Sequence, residues 1–268
     1  QWHYDSIHNY KWDYSYFNNI DYVSKNIYSD VKIPWELSRL QFLNILSTLY
    51  IANKDEDILV KYEKILNNWI DYNQIGYGVN WTCTMEVSIR AINIGVSYII
   101  LHDFLSESFK KKISISLLEH NSYIKNFPEI SDVPGNHYLS NLMGLYITDL
   151  IIWGENSNEA IDSLKLFIKE CKKQFLDDGS HFEMSTIYHR LCLEMVATVI
   201  AFSFTSKNKN KKYYNELLKI FNRGLDFCYL ISSKNILSVF GDTDSGHILW
   251  FGNDSRDYTY LKQFNNII

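Results

Sequence analysis

The sequence predicts an all-α protein, an incomplete (α/α) toroid of about four helical hairpins, and three observations carry that prediction. Apolar residues recur at three- and four-residue steps, as in Leu40, Leu43, Leu46 and Leu49, then Ile58, Tyr62, Ile65 and Trp69. That is the period of a helix with one buried face. The two-helix layout returns at a spacing near 50 residues, the mark of a helical array. A short polar motif recurs with it: Glu36-Leu37-Ser38, Glu86-Val87-Ser88 and Glu183-Met184-Ser185.

The first 33 residues hold Trp2, Tyr4, Trp12, Tyr14, Tyr16 and Phe17 without a clear period and read as an aromatic arm, residues 1–33. Pro34 suits a first helical turn, and the stretch from Asn53 to Asp57 separates the first helix from the second. The same hairpin layout is expected at 84–101 with 107–126, at 137–153 with 157–178, and at 185–204 with 213–232. The toroid therefore spans 34–232, and 233–268 forms a turn- and strand-rich tail. Within the tail, Asp242 and Asp244 lie in a turn-rich run, Phe240 to Gly246, that lacks the further ligands of a calcium loop. A helical array can be an open solenoid or a closed ring. The ring is favoured because each motif falls at a hairpin start, which would bring the positive ends of several helices to one cleft and favour negative charge there. Ser38, Ser88 and Ser185 are expected as caps or packing residues.

The motif spacing is uneven, 86 − 36 = 50 against 183 − 86 = 97, so one copy is missing near residue 135. That slot reads Gly135-Asn136-His137-Tyr138 and puts an amide and an imidazole at a helix start. A lone histidine there is ordinarily a cap or a core residue. The third triplet continues into Tyr188-His189-Arg190, and nearby positive charge lowers a phenol pKa, which makes a usable acid or base.

Composition narrows the function. A formal charge of −5 and the lack of a glycine-rich phosphate loop argue against nucleic-acid binding. Apolar runs, such as Met195 to Phe204 with Thr198 and Ser203 inside it, fall short of the roughly 20 residues of a membrane span, so none is expected. The opening residues Gln1-Trp2-His3-Tyr4-Asp5 carry no initiator Met or signal-peptide pattern and are expected to begin a mature or excised piece. Cys83, Cys171, Cys192 and Cys228 form neither a zinc pattern nor a disulfide framework and are expected as buried thiols. Of five arginines, Arg39, Arg90 and Arg190 sit at the motifs, and planar bidentate contacts from arginine suit an anionic substrate. Most of the 42 aromatic residues, 20 Tyr, 7 Trp and 15 Phe, are expected in the core, with a minority stacking on sugars.

Five groups of residues, in order, resemble the helical domain of the heparinase II/III family of polysaccharide lyases. They are Pro34-Trp35-Glu36-Leu37-Ser38-Arg39; Asn80-Trp81 with Met85-Glu86-Val87 and Arg90; Asn136-His137-Tyr138; Asp178-Gly179 with Glu183, Ser185 and Tyr188-His189; and Gly241-Asp242-Thr243-Asp244. The resemblance implies a toroid followed by a β-sandwich domain, acting on acidic, uronic-acid polysaccharides such as glycosaminoglycans by β-elimination. It implies periplasmic or extracellular location. The family's carboxylate-contacting Asn and His match Asn136 and His137, and its catalytic Tyr matches Tyr188; Glu36, Arg39, Trp81, Glu86, Arg90, Glu183, His189 and Arg190 become candidate substrate contacts. Two departures stand out: many members carry a second Asn where this chain has Gly135, and a further catalytic His normally comes from the β-sandwich.

Those residue types fit the chemistry. Removing the proton at carbon 5 of a uronate is slow because its charged carboxylate stabilises a carbanion poorly. Neutralising it with an amide, imidazolium or guanidinium lowers the barrier, and a phenol or imidazole takes the proton or protonates the leaving oxygen. No cofactor or metal is required. Two other readings remain: a glycoside hydrolase using Glu36, Glu86, Glu183 and Asp242, and a noncatalytic glycan-binding module. Against the hydrolase, the spacings of Glu36 with Arg39 and Glu86 with Arg90 also permit plain helix ion pairs.

Overall fold

The structure, a computed structural model, describes residues 2–24, 26–204, 211–244, 246–249 and 254–267, which form two compact units divided after Glu129. Ser245, within the turn-rich run noted above, lies outside the described residues.

In the first unit the arm folds as a small antiparallel hairpin, β1 (Tyr4–Asp5) with β2 (Tyr10–Lys11). It is pinned by the buried Asp5 carboxylate, which accepts from the backbone N–H groups of Ile7, His8 and Asp30 and from the Ser29 hydroxyl. Its Trp12 packs with Ile20 and Val79 into a core of its own. The helix begins at α1 (Lys32–Ser38) and does not run on as the leucine period suggests. Leu40 adopts a left-handed conformation, φ 57°, and α2 (Phe42–Asn53) starts anew beyond it. Lys54, also left-handed at φ 53°, ends α2 in the stretch where the break is expected. The hairpin partner α3 (Glu56–Tyr72) is capped by Asp55, which accepts from Asp57 N–H at 3.0 Å. A second hairpin follows, α4 (Thr84–Leu101) with α5 (Glu107–Asn126), the latter capped by Ser106.

The second unit repeats the plan. α6 (Asn136–Trp153) ends at Gly154, φ 85°, and packs on α7 (Asn158–Gln174), while α8 (Thr186–Ser203) packs on α9 (Lys211–Leu230). Ser157 and Ser185 cap α7 and α8. α7 stops four residues short of its expected end, because Phe182 N–H turns back to the Gln174 carbonyl and Gly179, φ 88°, closes a tight turn. The tail carries the hairpin β3 (Ser232–Ser233) with β4 (Ile236–Leu237), and a helix the sequence pattern does not announce, α10 (Thr259–Asn265).

α4 and α8 are buried along nearly their whole length, while α3, α7 and α9 each show one buried face. The segment Thr84–Phe104 reaches a mean hydropathy of 1.3 and is long and apolar enough to cross a membrane, which a search for uninterrupted runs overlooks. With 78% of that window buried inside the protein, its apolarity is that of a core helix. All four cysteines are buried free thiols.

Candidate functional site

The site builds from the start of α6. Gly135 precedes the helix in an extended conformation and offers no capping side chain, so the first N–H groups need an acceptor from elsewhere. Glu183 supplies it: one carboxylate oxygen accepts from Asn136 N–H and the other from Asn136 Nδ2 at 2.7 Å. A carboxylate at a helix N-terminus is favoured by the helix dipole. A Cβ on residue 135 would collide with that same carboxylate, so the glycine makes the contact possible. Asn136 is buried, and His137 beside it is exposed.

Glu183 stands just before α8, so the contact links the start of α6 to the start of α8. There the Ser185 hydroxyl accepts from Tyr188 N–H at 3.0 Å and donates to the Asp242 carbonyl at 2.6 Å. Thr186 and Phe240 exchange two further bonds of 3.1 Å. The 240s segment thus braces the turn that carries Tyr188, which is half-buried. Ser185 is the cap expected of it, whereas Ser88 lies inside α4 bonded to the Thr84 carbonyl, and Ser38 is buried at the end of α1.

The two residues after Tyr188 face the interior. His189 is 1% exposed and donates from Nε2 to the Gly224 carbonyl at 3.0 Å; burial pulls its pKa down to about 4, so the ring is neutral at pH 7. Arg190 is 0% exposed and bonds Glu194 at 2.6 Å, Tyr260 at 3.0 Å and the Gly246 carbonyl. Glu194 in turn accepts from Ile248 N–H and Leu249 N–H, which fastens the tail to α8. The positive charge expected beside Tyr188 is therefore absent at His189 and matched by Glu194 at Arg190, and both residues do structural work in this fold.

Two residues not singled out by the motif complete the arrangement. Gln174, 1% exposed, donates from Nε2 to the Gly135 carbonyl at 3.0 Å and accepts from His181 Nε2 at 2.9 Å. His181, whose pKa burial lowers to about 3, lies two residues before Glu183.

In the first unit the candidates are spoken for by protein groups. Arg39 makes a bidentate pair with Glu86, Nε to Oε2 and Nη2 to Oε1 both at 2.7 Å, and only a 3.9 Å approach to the exposed Glu36. Glu86 thus engages an arginine 47 residues away rather than Arg90 four residues on, which the spacing would also permit. Arg90 lies fully buried, 4.5 Å from the Trp69 ring centroid and 5.1 Å from that of Trp81, and donates to His120 Nε2 and the Asn80 carbonyl. Trp81 is 1% exposed and packs on Trp69, His120 and Tyr123, so it offers no face to a sugar. At the start of α4, Glu129 accepts from Met85 N–H at 2.7 Å. Negative charge is favoured at these helix ends, as expected, but at α4 and α6 the charge is the protein's own: Glu129 and Glu183. A cleft of about 690 Å³ in this unit is lined by Trp2, Leu37, Phe42, Lys64, Asn67 and Asp71 among others, and by none of the candidate residues.

The family described as Heparinase II/III N-terminus matches residues 1–257. No curated protein sequence matches the chain significantly. Among solved structures, the heparan sulfate lyase HepC from Pedobacter heparinus aligns with a TM-score of 0.57 at 19% identity, over 88% of this chain and 38% of that one. Heparinase III aligns with a TM-score of 0.63 at 14% identity, over 88% of this chain and 37% of that one. At these identities the likeness shows the fold, the all-α toroid class. The chain spans about 38% of the length of these relatives.

Proposed function

The chain belongs to the heparinase II/III family, and from that membership we propose that it is the helical part of a polysaccharide lyase that cleaves a uronic-acid glycan by β-elimination. The names of the solved relatives, heparan sulfate lyase and heparinase III, favour a glycosaminoglycan as substrate. Asn136 and His137, at the start of α6, hydrogen-bond the uronate carboxylate in this reading and so acidify the proton at carbon 5. Tyr188 exchanges protons in the elimination: the carbon–hydrogen pair forms the double bond between carbons 4 and 5, and the carbon 4–oxygen bond breaks to give a free hydroxyl. A second proton-transfer group from a β-sandwich domain completes the set in this reading.

The observation that best supports the reading is the Glu183 carboxylate, which ties Asn136 at the start of α6 to the turn that carries Tyr188. Arg90, Arg190, His189 and Trp81 take no substrate contact in it, since each is in the interior. Incubation of the longest natural form of the protein with heparan sulfate tests the reading: ultraviolet absorption from an unsaturated uronate is expected. Reducing ends without that absorption would point to hydrolysis, and binding without turnover to a glycan-binding module.

A further inference from the structure

The geometry points to Gln174 as a positioning residue that sets the Asn136 amide for its contact with substrate, an inference that rests on the functional reading above. Gln174 is the last residue of α7 and is 1% exposed. Its two side-chain atoms serve two different segments. Nε2 donates to the Gly135 carbonyl at 3.0 Å, to the Pro134 carbonyl at 3.2 Å and to Glu170 Oε1 at 3.0 Å, holding the chain that leads into Asn136. Oε1 accepts from His181 Nε2 at 2.9 Å, holding the turn that carries Glu183.

Those two segments meet again at Asn136, whose backbone and side-chain amides both donate to Glu183. A closed circuit results: Gln174 to His181, along the backbone to Glu183, across to Asn136, back along the backbone to Gly135, and across to Gln174. The circuit requires a side chain that donates and accepts at once in a dry place. His181 reinforces this requirement. Its Nδ1 accepts from Glu183 N–H at 3.5 Å, so in the neutral ring that burial favours Nε2 carries the proton and needs an acceptor, which the Gln174 Oε1 provides. Glutamate at this position keeps the acceptor but loses both donors, and it places a second carboxylate beside Glu170, itself 3% exposed. Moving the Gly135 carbonyl rotates the first turn of α6, and with it the direction of the Asn136 amide. Displacements on the order of 1 Å at a contact of this kind cost about 10²-fold in rate.

Two variants, Gln174→Glu and Gln174→Met, test this in two ways. In ¹⁵N-labelled 268-residue chain, the backbone and side-chain amide signals of Asn136 are expected to shift, while those of Ile248 and Leu249, bound to Glu194 elsewhere in the same unit, stay in place. In the longest natural form, kcat on a uronate glycan is expected to fall about 10²-fold with little change in KM, and the same change made in an Asn136→Ala background is expected to cost almost nothing further. Asn136 signals that do not move, or an equal loss of kcat with Asn136 already removed, would overturn the inference. If the unsubstituted protein makes no unsaturated product, the functional reading falls, and the amide signals still decide what Gln174 does.

Discussion

Glu183 accepts from both nitrogens of Asn136, the backbone N–H and Nδ2, across 47 residues of sequence. The first residue of α6 is thereby oriented by a residue that belongs to the approach to α8. Gly135 is the gap through which the carboxylate reaches. In Gly135→Ala the methyl group meets only the mobile end of the Glu183 side chain, and the backbone there is ordinarily extended. The fold is therefore expected to survive with a loss of about 1–3 kcal/mol, while Glu183 swings away and the Asn136 bonds are lost. A crystal structure of the variant with the Asn136–Glu183 contact intact would contradict this.

Trp81 separates a sugar platform from a core residue. Its ring is packed against Trp69, His120 and Tyr123, with the Arg90 guanidinium over it. Trp81→Ala is expected to cost about 3–5 kcal/mol of folding stability. Urea unfolding followed by far-ultraviolet circular dichroism measures it. A variant of unchanged stability that loses only glycan affinity would restore the stacking role.

Acid should loosen the fold before the carboxylates begin to titrate. His120 and His181 are pulled down to about 3 and His189 to about 4, by burial in each case and additionally by the Arg90 charge at His120. These rings are neutral when folded and take up protons only once unfolded. Their share of the stability is complete above the ordinary histidine pKa of 6.5 and is lost as pH falls from there toward the folded values. Each adds a slope of up to about 1.4 kcal/mol per pH unit. The urea midpoint is expected to hold steady between about pH 8 and 7 and to drop steeply between about pH 6.5 and 5; a flat midpoint across the second window contradicts buried neutral rings.

The helices were readable from sequence because the two-helix layout repeats, α3, α7 and α9 each show one buried face, and several starts are conventional: Ser106, Ser157 and Ser185 all cap helices whose beginnings the pattern places within a few residues. The break at Leu40 was not, since nothing in a leucine signals a left-handed backbone. α10, with seven residues, is too short to show a period. At the site, Asn136, Glu183 and Tyr188 stood out as departures from, or extensions of, a repeat. The fate of the arginines did not, because a helical arginine reads the same whether its partner is solvent, a ligand or, as for Arg39 and Arg190, a buried carboxylate. Gln174 was invisible for a similar reason: its role exists only where two distant turns meet.

The product formed from a uronate glycan separates elimination from hydrolysis in one measurement. Heparan sulfate incubated with the longest natural form of the protein is expected to yield an ultraviolet-absorbing unsaturated uronate, at a rate abolished by Tyr188→Phe and strongly reduced by Asn136→Ala, with the folded state of both variants confirmed by circular dichroism. Unsaturated product formed at an undiminished rate by the folded Tyr188→Phe variant, or cleavage that places water at the anomeric carbon, would contradict the proposed mechanism.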